Sequence, residues 1–267
     1  MNELSALPSS LPIPPSWHRP RRAGTLSAVP PLIPLLVSGA ALMFGGAVEA
    51  ATGYGSAVVA LPVLDLAFPS HMPALLILLG PPLVLLMAGV ERRHIDVPAV
   101  AGVSSGLVLG SLAAIPVLDL MSGRSLRLLF GCATLVALVV MTTLRGGVAR
   151  TAPRSFAAGT VSGFMGTATG IAGPPLAVVF ARDHGAAVRA TLGVIYTVGA
   201  AFSIGALLLA RRIDLADLWL AVLLTTPVVA GFAAGRLVLR RVSARFLRAV
   251  VLAVVAASAA VLFLGAV

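Results

Sequence analysis

Gly46-Ala-Val-Glu-Ala-Ala-Thr-Gly-Tyr-Gly-Ser56 returns in altered form as Gly163-Phe-Met-Gly-Thr-Ala-Thr-Gly-Ile-Ala-Gly173, and the second copy runs straight into Pro174 and Pro175. Each copy interrupts a long apolar stretch with glycine. A helix that breaks inside such a stretch frees backbone N–H and C=O groups, which a bilayer tolerates only where protein or a watery cavity satisfies them. Two breaks at matching places in two halves of a chain are the sequence pointer to a transporter's binding site.

The surrounding composition fits a bilayer. Mean hydropathy is +1.05, with 59% apolar and 10% charged residues; soluble domains carry about a quarter charged residues. Apolar segments cover approximately 32–68, 71–90, 97–121, 125–144, 155–181, 187–210, 215–238 and 245–266. Six have the length of one span through about 30 Å of hydrocarbon. Segment 32–68 would reach about 55 Å as one helix, too long for a straight span. Gly53 and Gly55 mark its expected break, and Pro62 a second discontinuity. The expected fold is an all-α polytopic membrane protein with about eight transmembrane segments in two homologous halves, the first segment of each half broken or re-entrant.

The formal charge of +10 would point to nucleic acid in a soluble protein. Here the arginines fall in short gaps between apolar runs: Arg92-Arg93, Arg145, Arg150, Arg154, Arg182, Arg211-Arg212 and Arg240-Arg241. That placement serves head-group contact and topology. The partners expected are a lipid bilayer and a small anion, with room for a homo-oligomer and no nucleic acid. Cys132 is the only cysteine, and His18, His71, His94 and His184 are scattered. Neither pattern has metal-ligand spacing, so no metal or other cofactor is expected.

Four regions follow. Residues 1–31 are rich in Pro and Ser and read as a disordered tail; Pro30, Pro31 and Pro34 interrupt any signal-peptide apolar core behind Arg21-Arg22. Residues 32–144 form a first repeat, 145–154 a connecting loop and 155–267 a second repeat. Arg93-His94-Ile95-Asp96 corresponds to Arg211-Arg212-Ile213-Asp214, and Gly110 with Leu126-Arg127 to Gly231 with Leu247-Arg248. If each broken segment crosses once, the halves are parallel; if each doubles back, they are inverted. Basic residues occur in nearly every loop, so charge bias leaves the orientation open.

An anion in a membrane protein must replace its hydration shell. Helix N-termini do so with free N–H groups and a positive dipole end, and glycine lets backbone approach a solute without a Cβ in the way. The candidate substrate-binding residues are therefore Thr52, Gly53, Tyr54, Gly55 and Ser56 at the first break. At the second they are Thr167, Thr169, Gly170, Gly173 and Pro174, with Pro174 and Pro175 suited to the first turn of a restarted helix. The other spaced glycines, Gly102, Gly106, Gly110, Gly231 and Gly235, read as close helix packing. Glu49 admits two roles. A carboxylate beside an anion site repels the solute unless protonated, which makes it a candidate carrier of a coupling proton. It would equally serve as a hydrogen-bond partner for backbone freed by the break. Asp65 and Asp119 lie near expected span ends, where a solvated carboxylate is the plain account.

The spaced glycines ending near a proline resemble the sulfite exporter TauE/SafE family, also called the toluene sulfonate uptake permease family. The residues that carry the resemblance are Gly45, Gly46, Gly53, Gly55 and Pro62, then Gly159, Gly163, Gly166, Gly170, Gly173 and Pro174, over roughly residues 35–265. The first copy departs from the pattern with Glu49 where the second has Gly166, and with Ser56 where a glycine is usual. The resemblance implies transport of sulfite, sulfonates and related sulfur-containing acids. Thr52-Gly-Tyr-Gly55 also echoes a potassium-channel filter, but the second copy, Thr169-Gly-Ile-Ala, loses that pattern. No catalytic constellation points to an enzyme, and a non-transporting scaffold subunit is the remaining alternative. The reading is a multi-pass secondary transporter of the bacterial-type inner (plasma) membrane.

Overall fold

The computed structural model describes residues 31–53, 55–90, 92–121, 123–143, 147–183, 185–238 and 244–264. The tail expected up to residue 31 lies outside them but for Pro31, as do Tyr54, Arg145 and His184. The described residues form helices and turns, with no strand among them.

Segment 32–68 breaks where its glycines are. Helix α1 (Leu32–Thr52) ends at Gly53, whose φ of 84° is the left-handed cap that glycine adopts without a Cβ penalty. Helix α2 (Ser56–Ala67) then packs back against α1. Pro62 does not interrupt α2, contrary to expectation; the helix runs through it to Ala67. The second break repeats the first. Helix α7 (Ala152–Thr169) ends at Gly170 with φ 79°, and α8 (Gly173–Val179) restarts with Pro174 in its first turn and packs back on α7. In both, the capping N–H donates to the carbonyl four residues back, Gly53 to Glu49 and Gly170 to Gly166.

Between and after the breaks run α3 (Ala74–Leu78), α4 (Gly80–Val90), α5 (Val97–Leu120), α6 (Gly123–Thr143), α9 (Ala186–Leu209), α10 (Leu215–Val238) and α11 (Ala244–Leu264). Segment 71–90 is thus two helices joined at Leu79. Among the described residues four helices are long and apolar enough to cross a membrane, over Leu32–Ala50, Val97–Leu118, Ala186–Leu209 and Leu215–Leu237. The broken helices pair most extensively not with their own returning segments but with other helices: α1 with α10, and α7 with α5.

Glycine sets those two pairings. A Cβ on Gly110 would lie 1.9 Å from Thr160 O, and one on Gly163 would lie 2.0 Å from Leu107 O, so α5 and α7 meet backbone to backbone. At α1 and α10 a Cβ on Gly231 would lie 1.9 Å from Met43 O. This is the small-residue packing that brings helices together where lipid supplies no hydrophobic drive. Lipid-like faces are elsewhere: Leu36, Leu109, Leu209 and Leu237 are exposed.

Candidate functional site

Both breaks reach one interior cavity of about 110 Å³. Gly55 and Ser56 line it from the first break, and Gly170, Ala172 and Gly173 from the second. That space suits a few waters or one small solute, since a water needs about 10–15 Å³ on the same measure. The wall between is largely apolar, including Leu42, Leu83, Val84, Leu107 and Val228. One face of α9 completes it with Tyr196, Gly199, Ala200 and Ser203, which is the i, i+3, i+4, i+7 spacing of a single helical stripe.

The two breaks sit at different depths along α9. Gly53 is flanked by Leu192, Arg189 and Met87, and Gly170 abuts Leu76. Thr167, three residues before Gly170, shares a 2.7 Å hydrogen bond with Ser203. Leu192 and Ser203 are separated by about 16 Å of helix rise. The α3–α4 segment covers the same interval in the opposite sense, from Leu76 beside Gly170 to Met87 beside Gly53.

At the first break the chain supplies its own anion. Glu49, 6% exposed, faces the cavity and accepts from the Ser56 backbone N–H at 3.0 Å and from the Ser56 hydroxyl. Its carboxyl therefore caps the start of α2, the role in which a side-chain oxygen satisfies a free first-turn donor. This is the backbone-partner role foreseen for it. At the second break Gly166 stands in the corresponding place and brings no side chain. There Ser162 holds the turn instead, its hydroxyl donating to Ala172 O at 2.6 Å.

The candidate hydroxyls divide. Ser56 faces the cavity. Thr167 and Thr169 are buried behind it: Thr167 is bonded to Ser203, and Thr169 donates to Met165 O at 2.8 Å while accepting from Ile171 N–H at 3.2 Å. Thr169 thus builds the turn. Thr52 is the last residue of α1 and Tyr54 lies outside the described residues. Pro174 is buried and lacks an N–H to offer. Ser162 and Ser203 were not singled out in the sequence, although Ser162 sits within the Gly159–Gly163 spacing and Ser203 on the small-residue stripe of α9.

Polar clamps lie outside the cavity at two places. His71 Nδ1 lies 2.6 Å from Oδ1 of buried Asp217, joining the α2–α3 turn to the first turn of α10. Asp214 and Asp217 bond each other's backbone N–H across that turn. Elsewhere Arg150 Nη2 lies 2.6 Å from Asp96, Nη1 3.5 Å from Asp183, and the guanidinium 5.4 Å over Phe180. Asp96 also caps α5, its Oδ1 accepting from Ala99 N–H, and its own N–H donates to Thr191 Oγ1 of α9. Asp65 corrects an expectation: it is buried rather than solvated, 3.0 Å from Arg127 Nε of α6. The side chain of Asp119 lies outside the described residues.

No curated protein and no solved structure matches the chain significantly. The profile described as "Sulfite exporter TauE/SafE" matches residues 38–262, spanning both breaks, the cavity and most of the chain. A glycine-broken helix pair around an interior cavity, in an integral membrane protein of apolar helices, is thus accounted for: this chain belongs to the sulfite exporter TauE/SafE family.

Proposed function

We propose that the chain is a secondary carrier of small sulfur-containing anions, namely sulfite, sulfonates and related sulfoacids, in the inner membrane. The family is a family of membrane transporters for sulfur anions, and membership in it favours neither the channel nor the scaffold alternative. The observation that carries the reading is the cavity on which both helix breaks converge. Backbone at Gly55 and Gly173 lines it without a Cβ, which suits recognition of an anion by main-chain donors.

In this reading the halves are inverted repeats. Support comes from the doubling-back of α2 on α1 and of α8 on α7, from the crossed pairings of α1 with α10 and α7 with α5, and from the opposite courses of α3–α4 and α9 between the two breaks. Alternating exposure then comes from one half rocking against the other. The His71–Asp217 contact acts as a clamp at the end where Leu76 and Gly170 lie, and the Arg150 cluster as a clamp at the end of Met87, Leu192 and Gly53. Glu49 carries the coupling proton: a protonated carboxyl still receives Ser56 on its carbonyl oxygen and no longer repels the solute.

Uptake of radiolabelled sulfite and sulfonates by proteoliposomes, with and without a pH gradient, tests the proposal. Saturable uptake that rises with an acid-outside gradient is expected. Absence of flux for every anion in sealed vesicles with folded protein overturns it.

A further inference from the structure

The fold sorts by side the arginines that the sequence scatters among its loops. Four connecting stretches meet at the end of Met87, Leu192 and Gly53. Asp96, ahead of α5, donates its N–H to Thr191, the chain neighbour of the Leu192 that flanks Gly53. Arg150 reaches both Asp96 and Asp183, which brings the stretches ahead of α7 and of α9 to the same place. Helix α10 finishes there as well: Gly231 lies against Met43 and Gly235 against Ala47, so α10 runs parallel to α1 and ends where α1 ends. The opposite end holds the His71–Asp217 contact and the stretch ahead of α10, whose Arg212 donates to Leu118 O near the end of α5.

The two ends differ in charge. By chain position the stretches at the Gly53 end carry Arg92, Arg93, Arg145, Arg150, Arg182, Arg240 and Arg241, and those at the other end Arg211 and Arg212. With the arginines in the flanking helix turns and Arg19, Arg21 and Arg22 ahead of α1 included, twelve of the 19 basic residues belong to the Gly53 end and seven to the other. All are arginine, which stays charged at any physiological pH. Asp96 and Asp183 offset Arg150 locally, but acidic residues weigh little in membrane orientation.

We infer that the Gly53 end is the cytoplasmic face, and that its arginines form a surface for the anionic lipid head groups of that leaflet. Basic residues in short loops stay on the cytoplasmic side, where the negative surface potential of anionic lipid holds them and a guanidinium can pair a phosphate through two hydrogen bonds. The break that carries Glu49 then lies toward the cytoplasm and the Gly170 break toward the outside. The Arg150 cluster becomes the inner clamp and His71–Asp217 the outer one. This rests on the inner-membrane placement proposed above and not on the identity of the solute.

The test is thiol topology in spheroplasts of a bacterial host expressing the full chain in a Cys132→Ser background. Thr151→Cys and Ser70→Cys put one exposed thiol beside Arg150 and one beside His71. A membrane-impermeant maleimide is expected to label Ser70→Cys in intact spheroplasts and Thr151→Cys only after permeabilisation, with labelling in detergent fixing the full reactivity of each. Labelling of Thr151→Cys in intact spheroplasts, or of Ser70→Cys only after permeabilisation, overturns the orientation. In bilayer discs the unfolding temperature is expected to be higher in phosphatidylglycerol than in phosphatidylcholine, and the gap to narrow when Arg92, Arg93, Arg240 and Arg241 are together replaced by Ala. Equal unfolding temperatures in the two lipids, or an unchanged gap in that variant, overturn the lipid surface. A chain recovered outside the inner-membrane fraction overturns the placement and this inference together, whereas the expected labelling without any anion flux overturns the carrier reading alone.

Discussion

At residue scale Glu49 does two jobs that chemistry can separate. As the cap of α2 it needs only an acceptor, and as a proton carrier it needs an ionisable group. Glu49→Gln retains an amide oxygen for Ser56, so thermal stability in detergent should stay close to wild type. Uptake in wild type should rise as the external pH falls, because the anion binds only beside a protonated carboxyl; in Glu49→Gln that dependence should flatten. Glu49→Ala removes the acceptor as well and should cost about 1–2 kcal/mol, the usual loss for an N-cap. The break glycines differ in the same testable way. Gly53 and Gly170 share a left-handed φ, which costs a substituted residue about 1–2 kcal/mol at either place. At Gly53 an added Cβ finds Leu192 at an ordinary 3.5 Å, whereas at Gly170 it meets Leu76 at 2.7 Å. Gly170→Ala should therefore be the more destabilising, and Leu76→Ala should restore part of the difference when combined with it. The breaks, the proline restart and the provocative position of Glu49 were legible in the sequence, because glycine and an isolated acid stand out in an apolar run. The spending of Thr169 on its own turn was not legible: a hydroxyl's partner depends on backbone geometry that composition does not encode.

Among elements, the α5–α7 contact illustrates what spacing reveals and what it leaves hidden. The repeat of Gly106 and Gly110 marks a face for close approach, and both glycines do meet backbone of α7, at Phe156 O and Thr160 O. Which helix would lie there was not readable, since small-residue spacing names no partner. Gly110→Val should push α5 and α7 apart and lower the unfolding temperature, at the upper end of the roughly 1–3 kcal/mol seen for overpacking. Gly205→Ala on α9 is the contrast, because nothing lies within 4 Å of its Cβ position. It should be neutral or stabilising by up to about 1 kcal/mol from helix propensity alone. The division of segment 71–90 at Leu79 was missed beneath its uniform apolarity, although Gly80-Pro81-Pro82 opens α4 with the same restart that Gly173-Pro174-Pro175 gives α8.

For the whole molecule, the clamps at the two ends offer a handle on alternating exposure. Asp217 is fully buried and tied to His71, whereas Arg150 is a third exposed, where ion pairs contribute roughly 0–1 kcal/mol. Arg150→Ala should therefore barely move the unfolding temperature. It should nonetheless raise the reactivity of a cysteine placed at Met87 toward a membrane-impermeant thiol reagent, in a Cys132→Ser background, if that end opens more often. Asp217→Asn should do the same for a cysteine at Leu76, at the other end. Unchanged labelling in both would remove the clamps from the transport cycle. These long-range pairs were invisible in the sequence, where His71 looked like one of four scattered histidines. Lastly, Glu49 as the solitary acid among the described residues of the cavity wall has a thermodynamic consequence. With one carboxyl there, a turnover takes along one H⁺, and with a solute of single negative charge that stoichiometry moves no net charge. The carrier's accumulation ceiling is then set by ΔpH alone, about tenfold per unit, and collapsing the transmembrane voltage with a potassium ionophore should leave it untouched.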